Sequence, residues 1–396
     1  ATMRRRRKSR RQEEEEEATR QHPPEEARPQ VRRRVAITLV ACVTTALVRR
    51  LYAAYELYGI GFFVPFARRL DLTAREWQEL LRERSVLFVG GHHRSGTTIL
   101  SEHLGRHPSV ASFRDTGTDY GEGASLQDVY PTFGIGRDNF VEEQEENLTV
   151  AETVANVLRE VWTRTPVFDR RRQRGGLGRY ALREDAHWTE TSPKVIAGNQ
   201  MRVLNRFGYF WTERGVREKA VLLEKSPPNV VVARFLQALV NVGQPGWTPA
   251  PPSFGGVRGA AKFLFIQRHP LATALAHLEW RECEGMRLTD LVAHWVAVSY
   301  YVVADRDKLQ YLRVVTLEDF VKDPAAILED LWAGFLGLDD DVQDDVSDVQ
   351  ADPNAKYRRK YCDHHIHTHD ALVHTWGASV RTFGYDLDSW DCRVVD

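Results

Sequence analysis

One segment constrains the fold more than any other. Residues 85–91, SVLFVGG, form an apolar run that ends in two glycines and leads directly into HHRSGTTIL. A short apolar run followed by a glycine turn predicts a buried β-strand, and residues 97–105 predict the helix after it. A strand that is followed by a helix favours a parallel sheet.

The same alternation continues along the chain. Further strands are predicted at 221–225, 262–267 and 312–318, and helices at 151–162, 230–240, 270–281, 288–307 and 324–336. Strands separated by helices predict a parallel sheet with right-handed crossovers. The segment 70–396 is therefore predicted to be one α/β domain with a central parallel sheet flanked by helices.

The first 66 residues have a different composition. Residues 1–34 carry 12 Lys/Arg against 7 Asp/Glu in low-complexity blocks, which predicts a disordered charged tail. Within the apolar segment 35–66, the run 35–48 is shorter than the roughly 20 residues that span a bilayer, but flanking arginines extend its reach. We expect a single-pass membrane anchor at 35–48; a cleaved targeting segment and a helix packed on the body are the alternatives.

The turn after the first strand has the properties of an anion site. Gly91 and Gly96 allow close backbone approach, and the helix that starts at Thr97 points free N–H groups and its positive dipole end at one place. Arg94 adds a fixed positive charge. The hydroxyl donors of the turn are Ser95, Thr97 and Thr98.

This turn is not that of a nucleoside triphosphatase. The spacing of Gly91 and Gly96 fits GxxxxGK[ST], but Thr97 stands where the lysine belongs, and no predicted strand ends in the aspartate that would hold magnesium. The sequence Arg94-Ser95-Gly96-Thr97-Thr98 resembles instead the 5′-phosphosulfate loop of sulfotransferases. The resemblance implies a P-loop-like three-layer fold over about residues 85–390.

A second motif continues the resemblance. LLEKSPPN, residues 222–229, is similar to the E-K-[ST] strand end of Golgi-type glycan sulfotransferases, in which the lysine neutralises charge on the bridging oxygen. This implies the same role for Lys225. A lysine at the carboxyl end of a parallel strand lies at the edge of the sheet where ligands bind.

Two further segments resemble the donor-binding parts of the family. FLFIQRHPLATALAHLEW, residues 263–280, is similar to the segment that holds the 3′-phosphate, which implies a contact from Arg268. The family often has a serine where this chain has Ala276, so Thr273 is taken as the nearest hydroxyl. NAKYRRKY, residues 354–361, resembles a basic loop that closes over the nucleotide, which implies contacts from Lys356 and Arg359.

Sulfuryl transfer needs a base for the acceptor proton. The candidates include His92, His93, Asp115 and Asp119. We select Glu122, because it lies 28 residues after the loop arginine, similar to the separation of the catalytic glutamate in glycan-type sulfotransferases; His93 is the second choice.

Neither the cysteines nor the histidines predict a metal site. The four cysteines have no CxxC pair, and a Cys362–Cys392 bridge stays open if the protein is lumenal. Histidines 365, 367 and 369 fall on one face if residues 362–370 form a strand, but no carboxylate cage accompanies them. We interpret this segment as polar and solvent-facing, and expect no metal.

Together these features predict transfer of a sulfuryl group from 3′-phosphoadenosine 5′-phosphosulfate to a hydroxyl or amine of a glycan, lipid, tyrosine or small alcohol. The net charge of −1 gives no reason to expect nucleic acid as a partner. If the source is eukaryotic, the anchor and the resemblance place the protein in the Golgi lumen; a cytoplasmic protein is the alternative. The rival functions are a catalytically inactive donor-binding protein and a P-loop nucleotide kinase.

Overall fold

The structure is a computed structural model, and it describes residues 44, 69–113, 121–127, 129–130, 187–243, 261–280, 283, 286–338 and 345–393. The chain divides into two units, Ala1–Phe62 and Phe63–Asp396, of which the first is described only at Thr44. The predicted charged tail and anchor, and the predicted helix at 151–162, lie outside the described residues. No helix among the described residues is long and apolar enough to cross a membrane.

Five strands and eleven α-helices, numbered here in chain order over the described residues, make up the second unit. The strands are β1 Ser85–Gly91, β2 Val110–Ala111, β3 Val221–Lys225, β4 Ala261–Gln267 and β5 Leu312–Thr316. The helices are α1 Ala74–Leu80, α2 Thr97–Leu104, α3 Ala197–Trp211, α4 Glu213–Glu218, α5 Asn229–Asn241, α6 Pro270–His277, α7 Leu288–Asp305, α8 Leu317–Lys322, α9 Pro324–Glu329, α10 Ala355–His364 and α11 His369–Arg381.

The strands form one sheet in the order β2-β3-β1-β4-β5, and every pair is parallel. β1 lies at the centre, with Val89 opposite Lys225 of β3 and Gly91 opposite Ile266 of β4. The carboxyl ends of β1, β3 and β4 therefore lie side by side at one edge of the sheet. The predicted α/β class with a parallel sheet is confirmed.

Alternate residues of the central strands pack on opposite faces of the sheet. Phe88 and Phe263 stack with ring centroids 5.4 Å apart in the cluster that includes α3 and α5. Val89 and Leu264 belong to the cluster on the other face, which includes α2, α8 and α9. Helices thus cover both faces, and the apolar runs of the strands are explained by burial on both sides.

Several predicted boundaries differ from those in the structure. The last strand ends at Thr316 instead of residue 318, because the Thr316 hydroxyl accepts a hydrogen bond from the Asp319 amide and caps α8. The helix predicted at 324–336 is α9 followed by a π-helical segment, Asp330–Leu336. The helix predicted at 270–281 ends at His277.

The segment after residue 354 is helical, which corrects two expectations. Residues 354–361 were predicted as a basic loop, but they start α10, because Tyr357 and Tyr361 are one turn apart and both bury in the apolar cluster of α6, α7 and α11. The histidines at 365, 367 and 369 do not share the face of a strand. They belong to the end of α10, a 3₁₀ turn and the start of α11, and His369 is buried whereas His367 is exposed.

A disulfide closes this C-terminal region. Cys362 of α10 is bonded to Cys392, 30 residues later, so the bridge that the sequence left open is present. It encloses α11 and the turn Leu387–Trp390, whose apolar side chains pack against α10.

Removing this bridge is expected to destabilise the protein. A Cys362→Ser/Cys392→Ser variant frees a loop of 30 residues in the unfolded chain, which corresponds to a loss of about 3.6 kcal/mol in the free energy of unfolding. Urea unfolding of the full chain with and without dithiothreitol measures it. Reductant is expected to shift the midpoint of the wild type and leave that of the variant in place; an unchanged wild-type midpoint would contradict the prediction.

Candidate active site

The site is built around a loop, residues 91–97, that connects β1 to α2 and is called the anion loop below. Its backbone takes left-handed conformations at Arg94 (φ 66°) and at Gly96 (φ 103°), where Gly96 is also the N-cap of α2. The φ of Gly96 would strain any side chain, and a Cβ there would also lie 2.8 Å from a methyl group of Leu317, so the position favours glycine. The Gly91 amide donates to the carbonyl of Pro227, which joins the loop to the segment after β3.

The hydroxyls of the anion loop do not all face the same way. Ser95 is buried, and its hydroxyl and amide both donate to the carbonyl of His92, at 2.6 and 3.1 Å. Ser95 therefore closes the loop from inside. Thr97 is buried at the first position of α2, whereas Thr98 is exposed.

Lys225 and Glu122 form a pair beside the anion loop. Lys225 is the last residue of β3, and its side chain is 6 % exposed. Its Nζ atom lies 3.4 Å from Oε1 of Glu122, a side chain that is 20 % exposed. Burial raises the pKa of Glu122, and the nearby Lys225 charge opposes this rise. A carboxylate with a raised pKa is a stronger base than an exposed one, so this pair can accept a proton and also neutralise a developing negative charge.

His93, the second candidate base, is buried beside Lys225. Burial, together with the positive charge of Lys225, lowers the pKa of His93 to about 3. The imidazole is therefore neutral near pH 7. Its ring makes edge contacts with His277 and Trp280, at centroid distances of 6.4 and 6.0 Å.

Arg94 and Lys356 share one carboxylate. Glu279 lies 3.9 Å from Nη2 of Arg94 and 3.3 Å from Nζ of Lys356, and it accepts a hydrogen bond from the Tyr357 hydroxyl at 3.0 Å. The Arg94 guanidinium also lies over the Trp280 ring, 5.1 Å from its centroid. α10 thus brings Lys356 to the carboxylate that Arg94 of the anion loop also contacts, and the predicted contacts of Lys356 and Arg359 with a donor nucleotide stay predictions. Arg359 is exposed on the same helix.

Arg268 joins the anion loop to the start of α10. Its three nitrogen donors reach the Arg94 carbonyl (3.0 Å), the Asn354 side-chain oxygen (2.8 Å) and the Pro353 carbonyl (2.6 Å). The guanidinium also lies over the Tyr357 ring, 4.8 Å from its centroid. In this structure the Arg268 side chain therefore connects the anion loop to the residues that precede α10.

The hydroxyl that was predicted to assist Arg268 points elsewhere. Thr273 is buried in α6, and its Oγ1 lies 3.4 Å from the carbonyl of Arg268, to which it donates. Ala276 is fully buried in the same helix, so a serine in its place would need a buried partner. The contact of Thr273 with a donor stays a prediction.

Some residues of the site were not selected from the sequence. Glu279 and Trp280 are the last two residues of the segment 263–280, in which the resemblance implies no role for them, and Asn354 is the first residue of the basic segment 354–361. Glu224 and Asn229 belong to the quoted LLEKSPPN segment, and they form a buried hydrogen-bond network with Ser226. The sequence signal that could have identified Glu224 as a site residue is its position directly before the strand-end lysine.

Two candidate bases and the question of a metal site remain. Asp115 and Asp119 lie outside the described residues. Within the part of the chain that the structure describes, no group of three or more His, Cys, Asp or Glu residues has the arrangement to hold a metal ion.

No family model and no curated protein matches the chain. Solved structures that are similar include a sulfotransferase from Alicyclobacillus acidocaldarius, with a TM-score of 0.38 and 19 % identity over 78 % of this chain and 98 % of that one. The sulfotransferase domain of the Synechococcus PCC 7002 olefin synthase gives 0.36 and 19 % over 77 % and 96 %. Sulfotransferase STF1 from Mycobacterium tuberculosis H37Rv gives 0.37 and 14 % over 87 % and 81 %. At such TM-scores these likenesses carry no weight for activity, which is argued from the geometry of the site.

The buried histidines next to the anion loop are expected to make stability depend on pH. Burial lowers the pKa of His92 to about 4 and that of His93 to about 3, and it holds those of His277 and His294 well below 6.5. Below pH 6.5 the unfolded chain binds protons at these positions and the folded chain does not. The contribution of these histidines to the free energy of unfolding is therefore fully present above pH 6.5 and is lost as the pH falls toward 5, by on the order of 1 to 2 kcal/mol each for His92 and His93.

Urea unfolding at pH 7, 6 and 5 measures this slope. His277→Gln is expected to reduce the slope by one histidine's share, and the exposed His367→Gln is the matched control that leaves it unchanged. Equal slopes for wild type and His277→Gln would show that this histidine does not contribute.

Proposed function

We propose that the chain is a sulfotransferase that moves a sulfuryl group from 3′-phosphoadenosine 5′-phosphosulfate to an acceptor hydroxyl or amine. The observation that carries the proposal is the Glu122–Lys225 pair, 3.4 Å apart, at the strand edge where the anion loop begins. A base and a buried cation placed together beside an anion site suit transfer of an anionic group between two oxygens.

Each part of the site has a role in this reaction. The anion loop and Arg94 bind the 5′-phosphate of the donor, where the amides and the positive end of α2 favour negative charge. The acceptor oxygen or nitrogen attacks sulfur and forms the new O–S or N–S bond, while the bond between sulfur and the bridging oxygen breaks. Glu122 takes the acceptor proton, and Lys225 neutralises the charge left on the phosphate. The products are a sulfated acceptor and 3′-phosphoadenosine 5′-phosphate.

The carboxylate of Glu279 supports an anion as the ligand of Arg94 and Lys356. Both cations converge on this single group, and the Arg94 and Glu279 side chains are 34 % and 33 % exposed. A phosphate of the donor would make the same contacts with shorter, charge-assisted hydrogen bonds. Binding therefore replaces one anion by another and requires no new positive charge.

The positive charge of the catalytic lysine, Lys225, is already balanced by the Glu122 carboxylate.

Because the anion loop has Thr97 at the position of the triphosphatase lysine, we propose no magnesium requirement, which separates this function from a nucleotide kinase. This proposal includes a charged tail at 1–34, an apolar segment at 35–66 and a catalytic domain at 70–396. It also includes the membrane anchor and the acceptor classes.

Donor binding is expected to depend on Arg94. Calorimetric titration of the full chain with 3′-phosphoadenosine 5′-phosphate in EDTA is expected to give micromolar affinity. Arg94→Ala is expected to weaken it about 10-fold or more, because a charge-assisted contact contributes about 1.5 to 3 kcal/mol. Arg75→Ala, at a side chain of α1 that is 87 % exposed, is the control and should bind like the wild type. Binding that appears only with magnesium would favour a nucleotide kinase instead.

Turnover is expected to depend on Glu122. Glu122→Gln keeps the shape of the side chain but removes the base, so kcat is expected to fall by about 10²- to 10⁴-fold. Affinity for 3′-phosphoadenosine 5′-phosphate should change by less than about threefold, because Glu122 acts on the proton of the acceptor and is assigned no contact with this nucleotide. The assay follows release of this nucleotide, with the exposed Glu213→Gln as control. Binding without turnover in the wild type would instead identify an inactive donor-binding protein.

A further inference from the structure

One buried carboxylate that the reaction above does not use lies directly behind the catalytic pair. Glu224 is fully buried, one residue before Lys225. It accepts hydrogen bonds from the Gly123 amide at 2.9 Å, the Ser226 hydroxyl at 2.6 Å and the Asn229 side-chain amide at 2.5 Å. Three donors around one carboxylate favour its ionised form, and burial opposes that form.

The partners of Glu224 extend to both sides of the site. The Ser226 hydroxyl accepts a hydrogen bond from the Ala124 amide at 3.0 Å, so two consecutive amides, those of Gly123 and Ala124, are held from the β3 side. The Asn229 amide group also donates to the Val89 carbonyl at 3.0 Å, near the end of β1. Through these contacts a single carboxylate joins the segment of the base to the strand that leads into the anion loop.

The closeness of this contact explains the glycine after Glu122. A Cβ on Gly123 would lie 2.5 Å from both Cγ and Oε1 of Glu224, so any side chain at this position would push the segment away. Because Glu122 directly precedes Gly123, its backbone is fixed by the same contact, and its carboxylate lies within 3.4 Å of Lys225.

We propose that Glu224 is the positioning residue of the site: it holds the 122–124 backbone so that the Glu122 carboxylate stays beside Lys225. The inference rests on the sulfuryl transfer proposed above, in which Glu122 is the base. Glu224 itself contacts neither donor nor acceptor and acts through the amides of Gly123 and Ala124.

Replacing Glu224 by glutamine tests this role, since the shape is kept while one acceptor oxygen becomes a donor. The new amide nitrogen would face either the Asn229 side-chain amide or the Gly123 backbone amide, both of which donate to the carboxylate in the wild type. Burial raises the pKa of Glu224 to about 7 and the nearby Glu122 charge adds to this, while the three donors oppose it. The comparison is therefore made at pH 8, where the wild-type carboxylate is ionised.

Two measurements on the full chain are expected to change together in Glu224→Gln. In hydrogen exchange, the peptide that contains residues 121–127 should lose protection about 10-fold or more. In steady-state kinetics, kcat should fall by about 10²-fold through misplacement of the base. The affinity for 3′-phosphoadenosine 5′-phosphate should stay within about threefold, which a general loss of structure would not allow.

The control makes the reverse substitution, glutamine to glutamate, at another buried site. Gln237 of α5 accepts from the Gln310 amide and donates to the Lys308 carbonyl, so Gln237→Glu disturbs a buried network without touching the catalytic segment. It should leave both the 121–127 exchange and kcat unchanged. If Glu224→Gln does not fold, Ser226→Ala removes the link to Ala124 and one of the three donors to Glu224 but leaves the Gly123 contact in place, so it should give the same two changes at smaller size.

Retained protection in Glu224→Gln, or lost protection with an unchanged kcat, would overturn the proposal. Failure of the proposed function has a different signature. If the wild type transfers no sulfuryl group, the reaction assigned above is wrong, and the role of Glu224 in that reaction falls with it. The exchange comparison then still decides whether Glu224 holds the segment.

Discussion

The parallel pairing of β1 between β3 and β4 is the constraint on which the site depends. It sets Val89 opposite Lys225 and Gly91 opposite Ile266, so the anion loop leaves the sheet beside the strand-end lysine. A shift of one residue in the β1–β3 register would move the side chains of the shifted strand to the opposite face of the sheet. The register is held because Phe88 and Val89 bury on opposite faces of the sheet, in two separate apolar clusters.

Positive charge at this edge is held in place by carboxylates. Lys225 is paired with Glu122, and Glu279 is shared by Arg94 and Lys356. A buried cation without a partner would carry a large desolvation cost, so each pair stabilises a charge that the proposed chemistry needs. The two pairs differ in exposure: the Lys225 side chain is almost fully buried, whereas that of Lys356 is 62 % exposed. The buried Lys225–Glu122 pair suits the proposed transfer step, and the exposed Lys356–Glu279 pair suits replacement of the Glu279 carboxylate by a donor phosphate.

Sequence patterns predicted the parts of the fold that depend on local information. The apolar runs of β1, β3 and β4 are buried on both faces, and such runs are recognisable without a partner. The π-helical segment and the helical state of 355–364 were missed, because both depend on which side chains pack against distant elements. In α10, the burial of Tyr357 and Tyr361 decides the structure, while the basic residues between them suggested a loop. Glu279 was missed for a related reason, since its role comes from the meeting of α10 with the anion loop.

The link from Arg268 to the C-terminal helices extends the organisation of the site beyond the sheet edge. Arg268 donates to the Arg94 carbonyl on one side and to the Asn354 side chain on the other, and Asn354 in turn donates to Glu318 near the start of α8. The left-handed conformation of Arg94 is therefore held by a residue whose own position depends on α10 and α8. Because α10 also carries Lys356, the same helix supports the loop backbone and supplies one of its cations. In the proposed function, a donor that draws Lys356 away from Glu279 would therefore act on a helix that is tied to the anion loop through Arg268.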